Sequence, residues 1–238
     1  MIFVSEALDL LARLRGPVAQ HRLHLFRMER WGKGEPEWHL LDHLVNPKLA
    51  AVDVGANVGD YAGRLAQLCP HVHAFEPIPW LADALVTKMP GNVTVHRLAL
   101  SDRSGTAELR IPTIAGIEEH GLTTLEDSNQ LSGSVRHVPC TLARLDDVVT
   151  EPVGLIKVDV EGHELAVLLG AERILKQHRP VLLIESDHKH NPAAPENVFQ
   201  LLRNHGYAGF FLADGQPRGL GAFRRDVHFV NFIFVPDQ

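Results

Sequence analysis

Short apolar runs alternate with amphipathic segments along most of the chain. The apolar runs predict buried strands at residues 50–54, 71–75, 93–100, 155–158 and 180–185. The segments between them carry apolar residues at helical spacing and predict helices at residues 60–68, 78–89, 165–177 and 196–205. Residues 207–212 and 227–235 predict a last, antiparallel pair of strands. This order predicts an α/β fold, with a doubly wound, seven-stranded, mostly parallel sheet and helices on both faces.

The alternation is interrupted between residues 106 and 148. Two strands are predicted there, at Thr106–Ile111 and Ser134–Thr141, on either side of a polar loop from Pro112 to Gly133. This β-insertion stands where the simplest doubly wound fold has a helix. Because long loops in compact domains are usually functional or disordered, we expect the insertion to face the substrate or to act as a lid.

Residues 1–48 predict a helical cap in front of a domain that comprises residues 49–238. Helical segments are indicated at Ser5–Leu14, Val18–Trp31 and Trp38–Val45, with glycine and proline breaks between them. The cap either covers the mouth of a ligand site or packs on the domain without that role. The sequence leaves both alternatives open.

The composition narrows the class of protein without identifying it. The 238 residues are 45% hydrophobic and 22% charged, and the formal net charge of −6 provides no basic field for nucleic acid. Cys69 and Cys140 form no C-x-x-C pair, which disfavours a zinc ribbon or a disulfide framework. The amino terminus lacks a cationic leader, and no apolar run is long enough to span a bilayer. We expect a cytoplasmic protein without nucleic-acid or membrane partners, and a homodimer is compatible with the sequence.

Candidate chemistry begins at the corner after the first strand, where the sequence reads G-x-N-x-G from Gly55 to Gly59. Such a loop exposes backbone N–H groups at a helix start and lets a ligand approach closely. It lacks the third glycine of a dinucleotide fingerprint. Asp53, inside the strand, suits a cationic ligand better than a diphosphate. S-adenosylmethionine (SAM) fits these features, with Asn57 bonding its amino-acid part; the alternative is a corner without a ligand.

Acids follow the next two predicted strands as well. Glu76 ends the second strand about 20 residues beyond the glycine loop, where an acid can hold two ribose hydroxyls. Dinucleotide-binding folds share that spacing, so it does not discriminate between cofactors. Asp102 lies in a polar turn after the third strand and either accepts a hydrogen bond from an adenine amine or serves only the turn.

A second chemical centre follows the strand that ends at Val158. It contains Asp159, Glu161 and His163, and we predict that one of these groups removes a proton from the substrate. Lys157 is expected to anchor a carboxylate rather than to act as the base. His188, in a polar loop after the next strand, is a further candidate base.

No metal site is predicted. Asp159, Glu185 and His188 contain suitable ligand atoms, but nothing in the sequence fixes their spacing. His71 and His73 share one face of the second strand, and a pair of histidines alone does not make a metal site. We therefore interpret both histidines as incidental.

The motifs together resemble those of the FkbM-type SAM-dependent methyltransferases. The resemblance rests on V-D-V-G-A-N-V-G-D-Y, F-E-P, A-L-S-D, L-D-D-V, I-K-V-D-V-E-G-H-E and G-Y, and runs from about Ala50 to Tyr207. It implies a Rossmann-like class I methyltransferase fold, SAM as methyl donor, and O-methylation of a small molecule, sugar or other secondary metabolite. The cofactor-binding residues it implies are Asp53, Gly55, Ala56, Asn57, Gly59, Tyr61, Glu76, Pro77, Ser101, Asp102 and Asp159.

Three hypotheses follow from the sequence. The main one is an O-methyltransferase that acts on a small-molecule or glycan acceptor. The second is an NAD-dependent oxidoreductase, which Asn57 and the missing third glycine disfavour. The third is a non-catalytic module that binds SAM or a partner. The acceptor itself is not identified.

Overall fold

A computed structural model describes residues 35–127, 129, 131–189, 193–213, 216–225 and 231–237 of the chain. The helices predicted at residues 5–14 and 18–31 lie outside the described residues. In the part of the cap that is described, a 3₁₀ turn at Pro36–Leu40 and a short α-helix at Leu41–Leu44 replace the single helix predicted at Trp38–Val45.

The described residues form twelve strands and seven α-helices. The strands are β1 (Ala50–Val54), β2 (Val72–Phe75), β3 (Val93–His96), β4 (Ala99–Leu100), β5 (Gly105–Ile114), β6 (Ile117–Glu118), β7 (Ser134–Ala143), β8 (Val153–Val158), β9 (Val181–Glu185), β10 (Tyr207–Ala213), β11 (Gln216–Gly219) and β12 (Asn231–Pro236). The helices are α1 (Leu41–Leu44), α2 (Asp60–Leu68), α3 (Pro79–Lys88), α4 (Leu145–Val148), α5 (Glu164–Leu169), α6 (Glu172–Gln177) and α7 (Glu196–Asn204).

The main sheet has the order β11-β10-β12-β9-β8-β1-β2-β3. The five strands from β9 to β3 are parallel, whereas β12 runs antiparallel to both β9 and β10. The mostly parallel sheet and the antiparallel terminal pair are therefore confirmed. The predicted count of seven strands is wrong, because β11 adds an eighth. All four residues of β11 are exposed at the sheet edge, so no apolar pattern marks that strand.

The β-insertion forms a second sheet with the order β4-β7-β5-β6. Its long strands β5 and β7 pair antiparallel from Gly105–Leu142 to Thr113–Ser134. The single strand predicted at residues 93–100 is wrong: β3 ends at His96 in the main sheet, and β4 pairs with β7. The two strands are separated only by Arg97 and Leu98, so the sequence pattern does not reveal the change of sheet.

The helix predicted at residues 165–177 is also two helices, α5 and α6. Gly170 separates them, and a Cβ atom at this position would lie 2.0 Å from the carbonyl oxygen of Ser101. The chain passes so close to the end of β4 that only glycine fits there. The break follows from this tertiary contact, which helical periodicity does not show.

Apolar side chains cover both faces of the parallel strands, as expected for such sheets. On one face, β1 and β8 pack towards α4–α7; on the other they pack towards α2. A third cluster joins Ile78 and Leu81, at the start of α3, to Leu109, Ile111 and Val138 of the insertion. Full burial of each such side chain stabilises the fold by roughly 1.5–3 kcal/mol. The insertion is therefore packed onto the domain beside the end of β2.

A helix that crosses a bilayer needs about 20 predominantly apolar residues. The described part of the chain contains no helix with both the length and the apolar character required.

Candidate active site

A cleft opens at the carboxyl ends of β1, β2 and β8. Counted with its mouth, which is open to solvent, it has a volume of about 690 Å³. Five of the predicted cofactor-binding residues line it: Gly55, Asn57, Glu76, Pro77 and Asp159. In open α/β sheets, ligands bind outside the strand ends where the strand order reverses, and β1 lies at that reversal here.

The corner after β1 depends on backbone conformations with positive φ. Gly55, Asn57 and Gly59 have φ angles of 80°, 46° and 88°. A Cβ atom on Gly55 would lie 1.9 Å from the carbonyl oxygen of Asp159, so glycine is required for the loops after β1 and β8 to touch. In the structure, the missing side chain of Gly55 allows the loop after β8 to come close. This contact fixes the end of β1 against the end of β8.

Glu76 is held rigidly at the end of β2. It is 4% exposed, and its two oxygens accept hydrogen bonds from the backbone N–H groups of Asn57 (2.7 Å) and Ile78 (2.8 Å). Burial raises the pKa of Glu76 to about 7, although these two hydrogen bonds oppose the shift. Each carboxylate oxygen retains a second lone pair, so the fixed group can still accept from hydroxyl donors in the cleft.

Asp53 lies beneath the cleft rather than in its lining. It is 1% exposed, and neither carboxylate oxygen has a hydrogen-bond partner among the described residues. Burial raises the pKa of Asp53 to about 6; Lys157 opposes the shift and Asp159 adds to it. The buried carboxyl group on β1 adds negative charge beneath the cleft, which is favourable for a cation.

Lys157 is paired with Asp159, as the sequence indicates. Its Nζ atom lies 2.7 Å from Oδ2 of Asp159 and 4.8 Å from the centre of the Tyr61 ring. Burial alone would lower the pKa of Lys157, but Asp159 and Asp53 outweigh it and raise the pKa above its ordinary value. Lys157 is therefore charged at neutral pH and orients Asp159 rather than accepting a proton.

Glu185 brings a second carboxyl group to the side of Asp159. Val158 and Ile184 are paired across β8 and β9, so the acids that follow each of them are neighbours at the sheet edge. Burial raises the pKa of Glu185 to about 8, and Asp159 adds to the shift while Lys157 opposes it. A carboxyl group that titrates near neutral pH is suited to proton transfer.

The segment before β1 reaches the same region. The Tyr61 hydroxyl donates a hydrogen bond to Glu35, and the Tyr61 ring packs edge-on against Trp38 at 5.2 Å between centroids. Burial, followed by the charge of Glu35, raises the pKa of Tyr61. The described end of the cap is thus attached to the helix that follows the glycine corner.

His163 lines the cleft, but both of its ring nitrogens have partners. Nδ1 lies 2.6 Å from Oε1 of Glu126, and Nε2 lies 3.0 Å from Oγ of Ser101. The ring thereby connects the loop after β8 to the insertion and to the end of β4. This geometry favours a positioning role for His163 over that of a free base.

The insertion is fastened over the cleft by further hydrogen bonds. The Thr124 hydroxyl donates to the carbonyl oxygen of Glu161 at 2.7 Å, and Nδ2 of Asn129 donates to the same oxygen at 3.3 Å. Glu161 has a φ of 52° and also lines the cleft, opposite His120 and Leu125 of the insertion. The insertion therefore lies over one side of the cleft, in a position suited to a lid.

Other predicted residues lie outside the cleft lining. Ser101 is fully buried below it, and Asp102 is exposed and paired with Arg103 at 3.1 Å. His188 lies 3.2 Å from Oδ1 of Asp187 and is 36% exposed. The corner and the helix after it contain the remaining three, Ala56, Gly59 and Tyr61, and none of them lines the cleft. Among the described residues, Asp159, Glu185 and His188 do not come together as a set of metal ligands.

Several residues that build the site were missed from the sequence. Glu164 is 2% exposed, accepts the Gly162 N–H at 2.7 Å and thus closes the loop after β8. The apolar lining from Leu98, Leu109 and Leu125 was also missed. These leucines come from β5 and two loops, and only the packing of the insertion brings them together. Glu164 lies within a quoted motif, but only the fold shows which N–H it accepts.

The sheet order, the glycine corner after β1 and the acids on adjoining strand ends define a class I methyltransferase fold. The model of the family described as "Methyltransferase FkbM domain" matches residues 53–208, which is more than half of the chain. The chain belongs to the FkbM methyltransferase family. The resemblance drawn from the motifs is confirmed, and a methyltransferase is favoured over an oxidoreductase.

Curated relatives agree with this assignment. The chain is 31% identical over 153 residues to the hexuronic acid methyltransferase AglP of Haloferax volcanii, with 63% of this chain and 59% of that protein covered. It is 30% identical over 196 residues to the 31-O-demethyl-FK506 methyltransferase FkbM of Streptomyces tacrolimicus, with 68% and 74% covered. The chain therefore spans less than two thirds of the AglP length.

Solved structures confirm the fold class. A methyltransferase FkbM from Methylobacillus flagellatus KT superposes with a TM-score of 0.55 and 17% identity, covering 95% of this chain and 58% of that one. An rRNA methylase from Streptococcus thermophilus gives a TM-score of 0.50 and 16% identity, covering 85% and 95%. At these identities, the likeness concerns the fold alone.

Proposed function

We propose that this protein transfers the methyl group of SAM to a hydroxyl oxygen of a small molecule or sugar. The observation that carries the proposal is the charge of the cleft. Glu76 and Asp159 line it, and Lys157 partly neutralises Asp159. The buried Asp53 lies beneath the cleft, and the partly buried Glu185 lies beside Asp159. A cofactor with an ammonium and a sulfonium group suits such a site, whereas a dinucleotide diphosphate would be repelled.

The residues present fit that cofactor without rearrangement of the corner. Glu76, fixed by two backbone N–H groups, is oriented to accept from ribose hydroxyls. The Asn57 side chain is proposed to bind the amino-acid part, because the N–H groups of Gly55, Ala56, Asn57 and Gly59 donate to acceptors within the protein. Leu98, Leu109 and Leu125 offer an apolar slot for the adenine ring. Asp102 is exposed and follows Leu98 closely in the chain. Its contact with the adenine ring stays a prediction.

The chemistry needs an acceptor oxygen in line with the methyl group and a group that takes its proton. When bound, SAM supplies an electrophilic methyl group on a positively charged sulfur. Asp159 or Glu185 accepts the hydroxyl proton as the new carbon–oxygen bond forms and the carbon–sulfur bond breaks. The fastened insertion excludes water and holds the acceptor in line.

The acceptor class follows from the relatives and from the site together. One relative is named for a hexuronic acid and another for 31-O-demethyl-FK506, and both names point to oxygen-containing small molecules. In this chain, Glu35, Trp38 and Tyr61 lie beside the acids near the methyl position. An aromatic surface next to carboxylates suits a polyhydroxylated ring. We propose an acceptor of that kind, with no nucleic acid or membrane involved.

Replacement of Asp159 tests the mechanism. In Asp159→Asn, we expect kcat to fall at least about 100-fold, the lower end for loss of a general base, whereas SAM affinity changes less than about fivefold. Transfer of labelled methyl to a panel of hydroxyl acceptors measures the first quantity, and calorimetry measures the second. Asp83→Asn is the matched control, because Asp83 is 61% exposed and forms an ion pair with Arg97 on the surface.

Each outcome decides between the hypotheses. Turnover of Asp159→Asn near that of the unmodified protein would remove Asp159 from the mechanism and leave Glu185 as the base. Tight SAM binding without transfer to any acceptor in the panel would favour a non-catalytic module. Stabilisation by NAD but not by SAM in thermal unfolding would favour an oxidoreductase.

A further inference from the structure

Two histidines and a glutamate lie at the amino ends of β2 and β8, at the end of the sheet opposite the cleft. His71 immediately precedes β2, His73 lies within it, and Glu151 is in the loop before β8. Nδ1 of His71 and Nε2 of His73 lie 2.5 Å and 2.8 Å from the same oxygen, Oε1 of Glu151. The potential ligand atoms of the three residues all lie within 4.8 Å of one another. The two histidines and the acid thus converge on one point.

Glu151 reaches the histidines across β1, which lies between β2 and β8 in the sheet. Next to the Glu151 loop, β1 presents the small side chain of Ala50, which is paired with Val153; Val52, two residues on, is paired with His73. A larger side chain pointing to this face would separate the acid from the imidazoles. The convergence is therefore a product of the fold, which explains why the sequence shows only a pair of histidines.

The outward ring nitrogens are also held. Nε2 of His71 lies 2.8 Å from Oγ1 of Thr94, and Nδ1 of His73 lies 3.0 Å from Nε2 of His96. His96 in turn stacks on Phe75 with the ring planes 12° apart. Histidines that bind metals commonly present one nitrogen to the ion while a second group fixes the other. Both imidazoles here have that arrangement.

The surroundings suit an ion with one open position. The side chains of His71, His73 and Glu151 are 31%, 10% and 40% exposed, so water can reach one side of the group.

We propose that His71, His73 and Glu151 bind a divalent first-row transition metal ion, with Zn²⁺ the best match. Two imidazoles and one carboxylate, with water as a fourth ligand, form a common tetrahedral zinc set. On binding, the ion replaces the two hydrogen bonds to Glu151. His71 then donates Nε2–H to Thr94, and His73 donates Nδ1–H to His96.

The site is separate from the proposed methyl transfer. His71 and Glu76 are five residues apart along an extended strand, which corresponds to about 16 Å at roughly 3.3 Å per residue. The ion would connect β2 to the chain that enters β8 and so stabilise the sheet against unfolding. Zinc binding should therefore leave SAM affinity unchanged, so that the failure of either proposal can be recognised without the other.

Calorimetric titration of ZnCl₂ into the chelator-treated, tag-free full-length protein tests the site. We expect one strong equivalent per chain, a higher unfolding temperature with Zn²⁺, and visible absorption typical of tetrahedral Co²⁺ when that ion is substituted. Glu151→Gln and His73→Gln should each weaken binding at least about tenfold, and Thr94→Val to a smaller extent.

His137→Gln is the matched control, because His137 is exposed on β7 and lies 3.4 Å from Glu108 in a similar histidine–carboxylate pair. It should bind Zn²⁺ as the unmodified protein does. Circular dichroism checks that each variant is folded, and Glu151→Gln alters only a partly exposed loop residue. Absence of a strong equivalent, or equal affinity in Glu151→Gln and the unmodified protein, would overturn the proposal.

Discussion

Individual carboxyl groups in the cleft and next to it have a protonation state that a bound cation should change. Asp53, Glu76 and Glu185 have pKa values raised to about 6, about 7 and about 8, in each case first of all by burial. At pH 6 a large share of these groups is therefore protonated, and at higher pH they ionise. A positively charged ligand favours the ionised forms, so its binding must release protons.

We predict that SAM affinity rises as the pH is raised from about 6 to 7.5. Because raised pKa values mean that protons leave these acids on binding, the affinity should increase by up to about tenfold per pH unit for each proton released. Calorimetry in buffers of different ionisation enthalpy measures the number of protons directly.

Glu185→Gln should make this pH dependence less steep, because it removes the group with the highest of the three pKa values. Glu172→Gln, on the exposed surface of α6, should leave the pH dependence as it is. An affinity that stays constant or falls over this range would show that the acids do not act on the ligand.

At the residue scale, the sequence predicted which residue types form the site better than it predicted which side chains contact each other. Glu76 and Asp159 were placed correctly at the carboxyl ends of β2 and β8, since residues that end a parallel strand must lie at one edge. Asp53 instead lies inside β1, beneath the cleft. The partners of His163 were not predictable, because Ser101 and Glu126 are 62 and 37 residues away in the chain. The raised pKa of Glu185 depends on burial, which no local pattern reveals.

Among the elements, the β-insertion decides how the cleft is closed. Its strands pack on the start of α3, and Thr124 and Glu126 reach across to the loop after β8. Because that loop carries Asp159, the insertion and the catalytic candidate are mechanically connected. A loosened insertion should therefore release the cofactor sooner.

Thr124→Val tests this connection. Thr124 is 1% exposed, and its hydroxyl donates to the Glu161 carbonyl. The variant removes this hydrogen bond, while the one from Asn129 to the same oxygen remains. We expect a loss of about 1 kcal/mol, equivalent to roughly fivefold faster dissociation of SAM in stopped-flow measurements. Thr141→Val, exposed on β7, provides the control. Equal dissociation rates in the two variants would mean that the insertion does not retain the cofactor.

The elements of the main sheet were largely predictable, because buried parallel strands are short apolar runs between amphipathic helices. The exceptions have tertiary causes. Gly170 divides one predicted helix because the chain passes Ser101 closely, and β4 leaves the main sheet to pair with β7. The edge strand β11 has no apolar residue pattern at all.

Considered as a whole molecule, the protein uses the two ends of one parallel sheet differently. The carboxyl ends carry the acids and the glycine corner of the methyltransferase cleft. The amino ends of β2 and β8 carry the proposed metal ligands. The insertion covers the cleft at the carboxyl ends. Family membership is established by the match over residues 53–208, while the cofactor and acceptor of this chain follow from the cleft as proposals.

Calorimetric titration with S-adenosylhomocysteine, the demethylated form of the cofactor, tests the central claim most directly. We predict saturable binding of one molecule per chain, weakened at least about tenfold in Glu76→Gln, since a buried hydrogen-bonded charge contributes roughly 1.5–3 kcal/mol. Glu172→Gln should bind as the unmodified protein does. Absence of any binding heat with either form of the cofactor, or equal affinity in Glu76→Gln and Glu172→Gln, would contradict the account.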